Sequence, residues 1–459
     1  MKQLTKEDLL LKNIKRIHMI GIGGSGMFPL AQILHSKGYK LSGSDNNESD
    51  ILAKVRKLGI PVSMGHNPEN IGDAELVVYS AAIMKDNPEL VAASERGIPT
   101  LERSFLLGYV TRMFDNVTGV CGTHGKTTVT SMITQILMES DKDPSAVIGG
   151  YLKAIEGYGR AGKSDIMVCE SCEFVDTFLK LSPDTALILN IDCDHLDYFK
   201  TMDNMKRSFR RFASMAKKVI YNGDDENTCE TVRDLTSDII TFGWSENNDY
   251  YPQNIIIHKG IRVEFDLMYR KEKLCNVELS VPGRHNILNA VAAAAAAIDL
   301  GADINSVVSG LRNFKGAGRR FEILAEKDGI VFADDYAHHP AELEVTLSTA
   351  MEMGFKKVWA VFQPFTYSRT SMLLDEFAAA LQIPDRVVMS KIMGSREINT
   401  YNVYTSDLAA LIPGAVWFNE FEEIADYVVK NAEPGDLVIT LGCGDIYKAA
   451  RMMIAQYDE

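Results

Sequence analysis

The chain has 459 residues, more than one ordinary hydrophobic core accommodates, so two to four domains of roughly 100–200 residues are expected, and three suit the motifs below. With 46% hydrophobic and 24% charged residues it reads as a soluble globular protein, and a net charge of -14, from 48 basic and 62 acidic residues, excludes general attraction to nucleic acid or to anionic membranes. No apolar run reaches the roughly 18–20 residues that span a bilayer, the start MKQLTKEDLLLKNIKRIHMIGIGG lacks a signal peptide's apolar stretch, and seven cysteines in so long a chain suit reduced thiols, so a cytoplasmic location is expected.

An apolar run at residues 16–20 breaks into Gly21, Ile22, Gly23, Gly24, Ser25 and Gly26, after which 27–35 reads as helix and 39–42 as strand, a βαβ opening. The alternation continues through 76–79 and closes a first domain, 1–112. A second, 113–316, opens with a strand at 116–120 that feeds another glycine loop and a helix from Lys126 to about Met138. Strand-like runs at 166–169, 185–191 and 218–221 follow, then an alanine-rich helix at 287–300 stopped by Gly301. Past Gly316 and Gly318 the third domain, 317–459, sets apolar strands at 330–333, 358–362, 387–389 and 437–441 between helical stretches. The fold class is therefore α/β throughout.

The loop Gly122-Thr123-His124-Gly125-Lys126-Thr127-Thr128 follows a strand and opens a helix, so backbone N–H groups and the positive helix end can face an anion. Lys126 can reach β and γ phosphates and the Thr127 hydroxyl can bind Mg2+. The spacing is not that of a strict Walker A loop, because five residues rather than four separate Gly119 from Gly125. Gly21, Gly23 and Gly26 match GxGxxG, with Asp45 near the end of the next strand, a pattern shared by dinucleotide-binding enzymes and by plain tight turns. Two glycine loops on successive domains suggest two phosphorylated ligands.

Glu170 and Glu173 sit where the strand at 166–169 ends, and His195 lies just past the strand at 185–191. Strand carboxyl ends line the ligand crevice of an open α/β sheet, so these groups are expected to meet the phosphates as a magnesium site. A zinc site from Cys169, Cys172, Cys193 and His195 is the rival reading, and a solvated acidic loop the bland one. Farther on, Asn286 in GRHNILN is expected to cap the alanine helix. The clusters DDYAHHP at 334–340 and QPFTYSRT at 363–370, each after a strand, are candidate ligand loops.

Together GTHGKTT, ESCE with DCDHLDYF, GRHNILNA, GAGRRFE, DDYAHHP and QPFTYSRT resemble, in order and spacing along nearly the whole chain, the Mur ligase family. The resemblance implies a Rossmann-like N-terminal domain for a UDP-sugar, a central P-loop ATPase-type domain and a Rossmann-like C-terminal closing domain. It recasts Gly21, Gly23, Gly24, Ser25, Gly26 and Asp45 as a UDP-diphosphate cradle. It assigns the 122–128 loop to ATP, His285, Asn286 and Asn289 to the adenine side, and Arg320 and Asp335 to holding ATP. Thr127, Glu170 and His195 become ligands of Mg2+, and Lys126, Glu170, His195 and Arg369 the catalytic set, with Arg369 facing the substrates. Two positions depart from the family pattern: Cys172, where many relatives are acidic, and Phe365, where a histidine is usual.

The implied reaction is ATP-dependent amide formation between L-alanine and the carboxylate of UDP-N-acetylmuramate, through an acyl phosphate, in peptidoglycan precursor synthesis, by a monomer or homodimer. A ligase adding a peptide or another amino acid to the same sugar is the alternative. More remote are an NAD-dependent oxidoreductase built on Gly21, Gly23 and Gly26, which leaves the GKTT loop unexplained, and a nucleotide-binding switch without turnover.

Overall fold

The computed structural model describes residues 11, 13–192, 196–258, 262–395 and 397–457. Its first sheet is five-stranded and wholly parallel, from β1 (Arg16–Ile20), β2 (Lys40–Asp45), β3 (Val62–Met64), β4 (Leu76–Tyr79) and β5 (Thr100–Glu102), in the order β3-β2-β1-β4-β5. Chain order reverses at β1, so a crevice opens beyond the ends of β1 and β4, where doubly wound sheets bind ligands. Gly21–Gly26 leaves β1 into that crevice, and the helix Phe28–Ser36 follows, with Phe28, Pro29, Leu30, Ala31, Ile33 and Leu34 buried.

The second sheet has ten strands. They are β6 (Asn116–Cys121), β7 (Ser145–Leu152), β8 (Gly157–Arg160), β9 (Ile166–Glu170), β10 (Thr185–Ile188), β11 (Lys218–Asn222), β12 (Asp238–Phe242), β13 (Tyr250–Ile257), β14 (Val263–Tyr269) and β15 (Glu272–Leu279). The order β15-β14-β13-β12-β11-β10-β6-β9-β7-β8 puts β6 between parallel β9 and β10. The loop after β6 is thus flanked by the carboxyl ends of two neighbours, which is what brings Glu170 and Glu173 to the phosphate loop. The helix Lys126–Glu139 is buried over most of its length, because it packs within the layer rather than on a wet face.

The third sheet, from β16 (Glu322–Lys327), β17 (Ile330–Asp335), β18 (Val358–Phe362), β19 (Arg386–Ser390), β20 (Val416–Phe418) and β21 (Leu437–Leu441), runs β16-β17-β21-β18-β19-β20 and is parallel except at the β16 edge. By packing the chain forms two compact units. One comprises the described residues up to Ile255 with Phe265–Val277 and Ile287–Phe314; the other comprises Ile256–Glu264, Glu278–Asn286 and the chain from Lys315. Among the described residues no helix is long and apolar enough to cross a membrane.

Several local expectations need correction. The alanine helix begins at Arg284, so Asn286 lies inside its first turn and its side-chain amide donates to the Pro282 carbonyl at 2.6 Å instead of capping the helix. The strand expected at 185–191 stops at Ile188, because the next residues turn out of the sheet to bond the phosphate loop. The antiparallel β7–β8 pair is an addition to the expected strands, since its sequence, rich in glycine, lacks a clean alternation.

Candidate active site

The glycine loop after β6 owes its shape to Gly125, which takes φ 87 at the helix start; a Cβ there would lie 2.7 Å from Asn289 Oδ1. From the β10 side, the His124 N–H donates to Asn190 Oδ1 at 2.8 Å and the Asn190 amide returns a bond to the His124 carbonyl at 3.1 Å. Thr123 Oγ1 accepts from the Asp192 N–H at 2.9 Å, so the chain leaving β10 is fastened to the loop up to Asp192. His195, Cys193 and Asp194 lie outside the described residues.

On the β9 side the Thr127 hydroxyl donates to the Glu170 carboxylate, at 3.0 and 2.9 Å to its two oxygens, and the Gly149 N–H donates to Glu170 at 2.7 Å. Lys126 Nζ donates to Glu173 at 3.0 Å and to the Thr123 carbonyl at 3.1 Å, and also to the Gly122 carbonyl. Burial is the strongest single influence and works against the Lys126 ammonium, yet the neighbouring Glu173, Cys172 and Glu170 together outweigh it and hold its pKa above the ordinary lysine value. Glu173, placed among the metal candidates by its position after a strand, is turned to the lysine instead.

The turn carrying Glu173 is strained. Val175 and Asp176 take φ 53 and 54, a left-handed conformation that costs about 1–3 kcal/mol per non-glycine residue, more for a β-branched one. Asp176 is held there by the hydroxyl of Tyr198, which donates to it at 2.9 Å, and by that of Ser208. Val175 is 45% exposed. Val175→Gly is therefore expected to raise the unfolding free energy by about 1 kcal/mol, read from denaturant melts; a loss of stability would mean the valine's contacts exceed the strain.

Between the N-terminal glycine loop and the segments around β7 and β9 lies a cavity of about 350 Å³, lined on one wall by Gly24, Ser25, Gly26, Ser80 and Arg103 and on the other by Gly149, Glu170, Cys172 and Phe178. Asp45 shapes the first wall, accepting from the Gly23 N–H at 3.0 Å. A Cβ on Gly26 would lie 3.2 Å from Arg103 Nη1, so the guanidinium rests on the glycine loop. Arg103 escapes a reading of the sequence because β5, which it follows, is only three residues long; a basic residue just after a strand is the available signal. Phe178 stacks on Phe212 at 4.7 Å and makes this wall part of the core.

Of the sequence-predicted residues in the second unit, Asp335 and Arg320 lie near each other. Asp335, at the end of β17, accepts from the Phe321 and Ala337 N–H groups at 2.7 Å each; burial pushes its carboxyl up to about 6 despite the nearby Arg320. Arg320 stacks on the Tyr336 ring at 5.2 Å. Arg369 follows β18, and its Nη1 is buried without a protein hydrogen-bond partner among the described residues. His285 is exposed at the start of its helix. Phe365 forms a backbone bridge with Met393, which its apolar ring does not disturb.

No group of three or more His, Cys, Asp or Glu among the described residues is arranged to hold a metal by itself. Cys169 is buried within β9 while Cys172 is exposed in the cavity wall, and Cys193 and His195 are not described, so the zinc reading gains nothing from the CxxC pair. Thr127 and Glu170, two hard oxygen donors side by side, fit magnesium, which draws its remaining ligands from phosphate and water.

Three family models match in chain order: "Mur ligase family, catalytic domain" over residues 16–115, "Mur ligase middle domain" over 120–297 and "Mur ligase, glutamate ligase domain" over 319–444. The chain is 43% identical to the UDP-N-acetylmuramate–L-alanine ligase of Acetivibrio thermocellus over 448 residues, covering 96% of each. It is 40% identical to that of Clostridium acetobutylicum over 449 residues, covering 96% of this chain and 98% of the other. Among solved structures, the UDP-N-acetylmuramate-alanine ligase of Thermotoga maritima superposes with a TM-score of 0.82 at 29% identity, covering 96% of this chain and 99% of that one. The murein peptide ligase of Psychrobacter arcticus, at 22% identity and a TM-score of 0.71 over 96% of this chain and 98% of its own, shares the fold. Three sheets, three family models in matching order and relatives of this identity along almost the whole chain lead to one conclusion: the chain belongs to the Mur ligase family.

Proposed function

We propose that this chain is an ATP-dependent ligase that joins L-alanine to the carboxylate of UDP-N-acetylmuramate in peptidoglycan precursor synthesis. The observation that carries the reading is the cavity between the N-terminal glycine loop and Glu170, whose carboxylate is bonded by Thr127 of the phosphate loop, so a sugar diphosphate held there would sit beside the loop that takes the triphosphate. Near-full-length identity to ligases of that name supports the choice of substrates.

A carboxylate is a poor electrophile. Transfer of the γ-phosphoryl group of ATP to it creates an acyl phosphate, which the amine of L-alanine attacks with release of ADP and phosphate. Both reacting groups are anionic, so the site must supply positive charge where they meet. Lys126 and the N–H groups at the helix start take the ATP phosphates, while Arg103, Ser25 and the Gly21–Gly26 backbone take the UDP diphosphate. Thr127, Glu170 and His195 would hold Mg2+, which neutralises the phosphates when bound. We assign His285, Asn286 and Asn289 to the adenine side, Arg320 and Asp335 to holding ATP, and Arg369 to the substrates. The domain limits 1–112, 113–316 and 317–459 go with this reading.

ADP release with UDP-N-acetylmuramate against alanine, glycine, serine and a tripeptide tests the function; preference for the tripeptide would reassign the chain to a peptide-adding ligase. Arg103→Ala is expected to raise KM for the UDP-sugar by about 10–100-fold, with a smaller effect on kcat, in the same assay. An unchanged KM would remove Arg103 from the diphosphate site.

A further inference from the structure

We propose that Glu173 is the positioning residue of the phosphate-loop lysine. An ammonium has three N–H donors, and those of Lys126 go to Glu173, to the Thr123 carbonyl and to the Gly122 carbonyl. Two of these acceptors belong to the loop itself and move with it. The third comes from another strand end, and the Glu173 side chain is only 1% exposed, so it fixes the lysine relative to the sheet rather than to the loop.

The chain turns sharply just beyond that carboxylate. The residues after it enter the left-handed region at Val175 and Asp176, and the turn is closed by Asp176 N–H to the Glu173 carbonyl at 2.9 Å and Phe178 N–H to the Cys172 carbonyl at 3.0 Å. A regular continuation of β9 would carry residue 173 away along the strand. Instead the Ser171 N–H donates to the Val120 carbonyl at 2.8 Å, which keeps the chain beside β6 up to Glu173, while Cys172 and Phe178 form part of the cavity wall. Glu173 therefore compensates a shielded cation and sets the line along which Nζ meets the phosphates. It touches no reacting atom and acts through Lys126.

The inference rests on the ligase reading for its phosphoryl-transfer role, so the test separates the two. Magnesium and the non-hydrolysable analogue AMP-PNP are titrated calorimetrically into the full chain and into Glu173→Gln, Glu173→Asp and Glu173→Ala, alongside ADP release and thermal melts. Glu173→Gln keeps shape and one acceptor but not charge; it should melt within a few degrees of the parent, bind the analogue about 3–10-fold more weakly and lose about tenfold in kcat, with KM for the UDP-sugar within about twofold. Glu173→Asp should recover part of what Glu173→Ala loses. Analogue affinity within about twofold of the parent in Glu173→Gln and Glu173→Ala overturns the proposal, and so does tighter binding, which would make Glu173 a competitor of the phosphate. If the parent shows no turnover with L-alanine, the ligase reading has failed, and the calorimetric arm alone decides the role of Glu173.

Discussion

Lys126→Ala is expected to lower substrate-dependent ADP formation by on the order of 10²–10³ or more, because it removes the cation placed inside the phosphate loop. The fold around it makes the reading of this variant less simple than for a surface lysine. Glu173 is buried and loses the Lys126 ammonium, and breaking a buried ion pair from one side costs about 3–5 kcal/mol, enough to lower the unfolding midpoint. The double variant Lys126→Met/Glu173→Gln removes both charges and is expected to melt closer to the parent while remaining inactive. Activity loss shared by the two variants, with stability lost mainly in the first, would assign the rate effect to the phosphates. Near-normal turnover in either would sink the phosphate-loop reading.

Glu170→Ala is expected to be the next most damaging change. The carboxylate joins three segments, accepting from Thr127 on the loop helix and from the Gly149 N–H on β7 at the end of its own strand. Its loss should cut kcat by on the order of 10² and raise the half-saturating magnesium concentration by about tenfold, measured as ADP release across a magnesium titration. If excess magnesium restores the parent rate, Glu170 serves to hold the ion. A low rate at saturating magnesium would assign it mainly to orienting Thr127. A magnesium dependence and rate equal to the parent's would take Glu170 out of the site.

Lys126 and Glu170 both stand out in the amino-acid sequence alone, and the reason is local. A glycine loop between an apolar strand and a helix can be read from about fifteen consecutive residues, because backbone N–H groups and the helix end do the binding and their placement depends only on neighbours in sequence. The parallel strands that matter, β6, β9 and β10, are visible as short apolar runs for the same reason. Expectation and structure part where packing, not sequence, sets the outcome. Asn286 has the chemistry of a cap, but the helix starts two residues earlier and the side chain finds the Pro282 carbonyl. The run at 185–191 is apolar over most of its length, yet the strand stops at Ile188 and Asn190 bonds the phosphate loop rather than the sheet.

The order of amino acids is enough to dictate successive α/β layers, a phosphate loop at 122–128 and, through motifs spread along the chain, a resemblance to the Mur ligases. Those properties follow from period, punctuation and contiguous donors. Which acidic residue meets which partner is a matter of tertiary packing: Glu170 and Glu173 are three residues apart and alike in type, but β9 ends between them, and one meets Thr127 and the other Lys126. The same packing brings Arg103 across to Gly26, from 77 positions farther along the chain, to share one cavity with Glu170. Such pairings depend on strand order and on where β9 ends, and these are fixed by the packing of segments that are remote from one another in sequence.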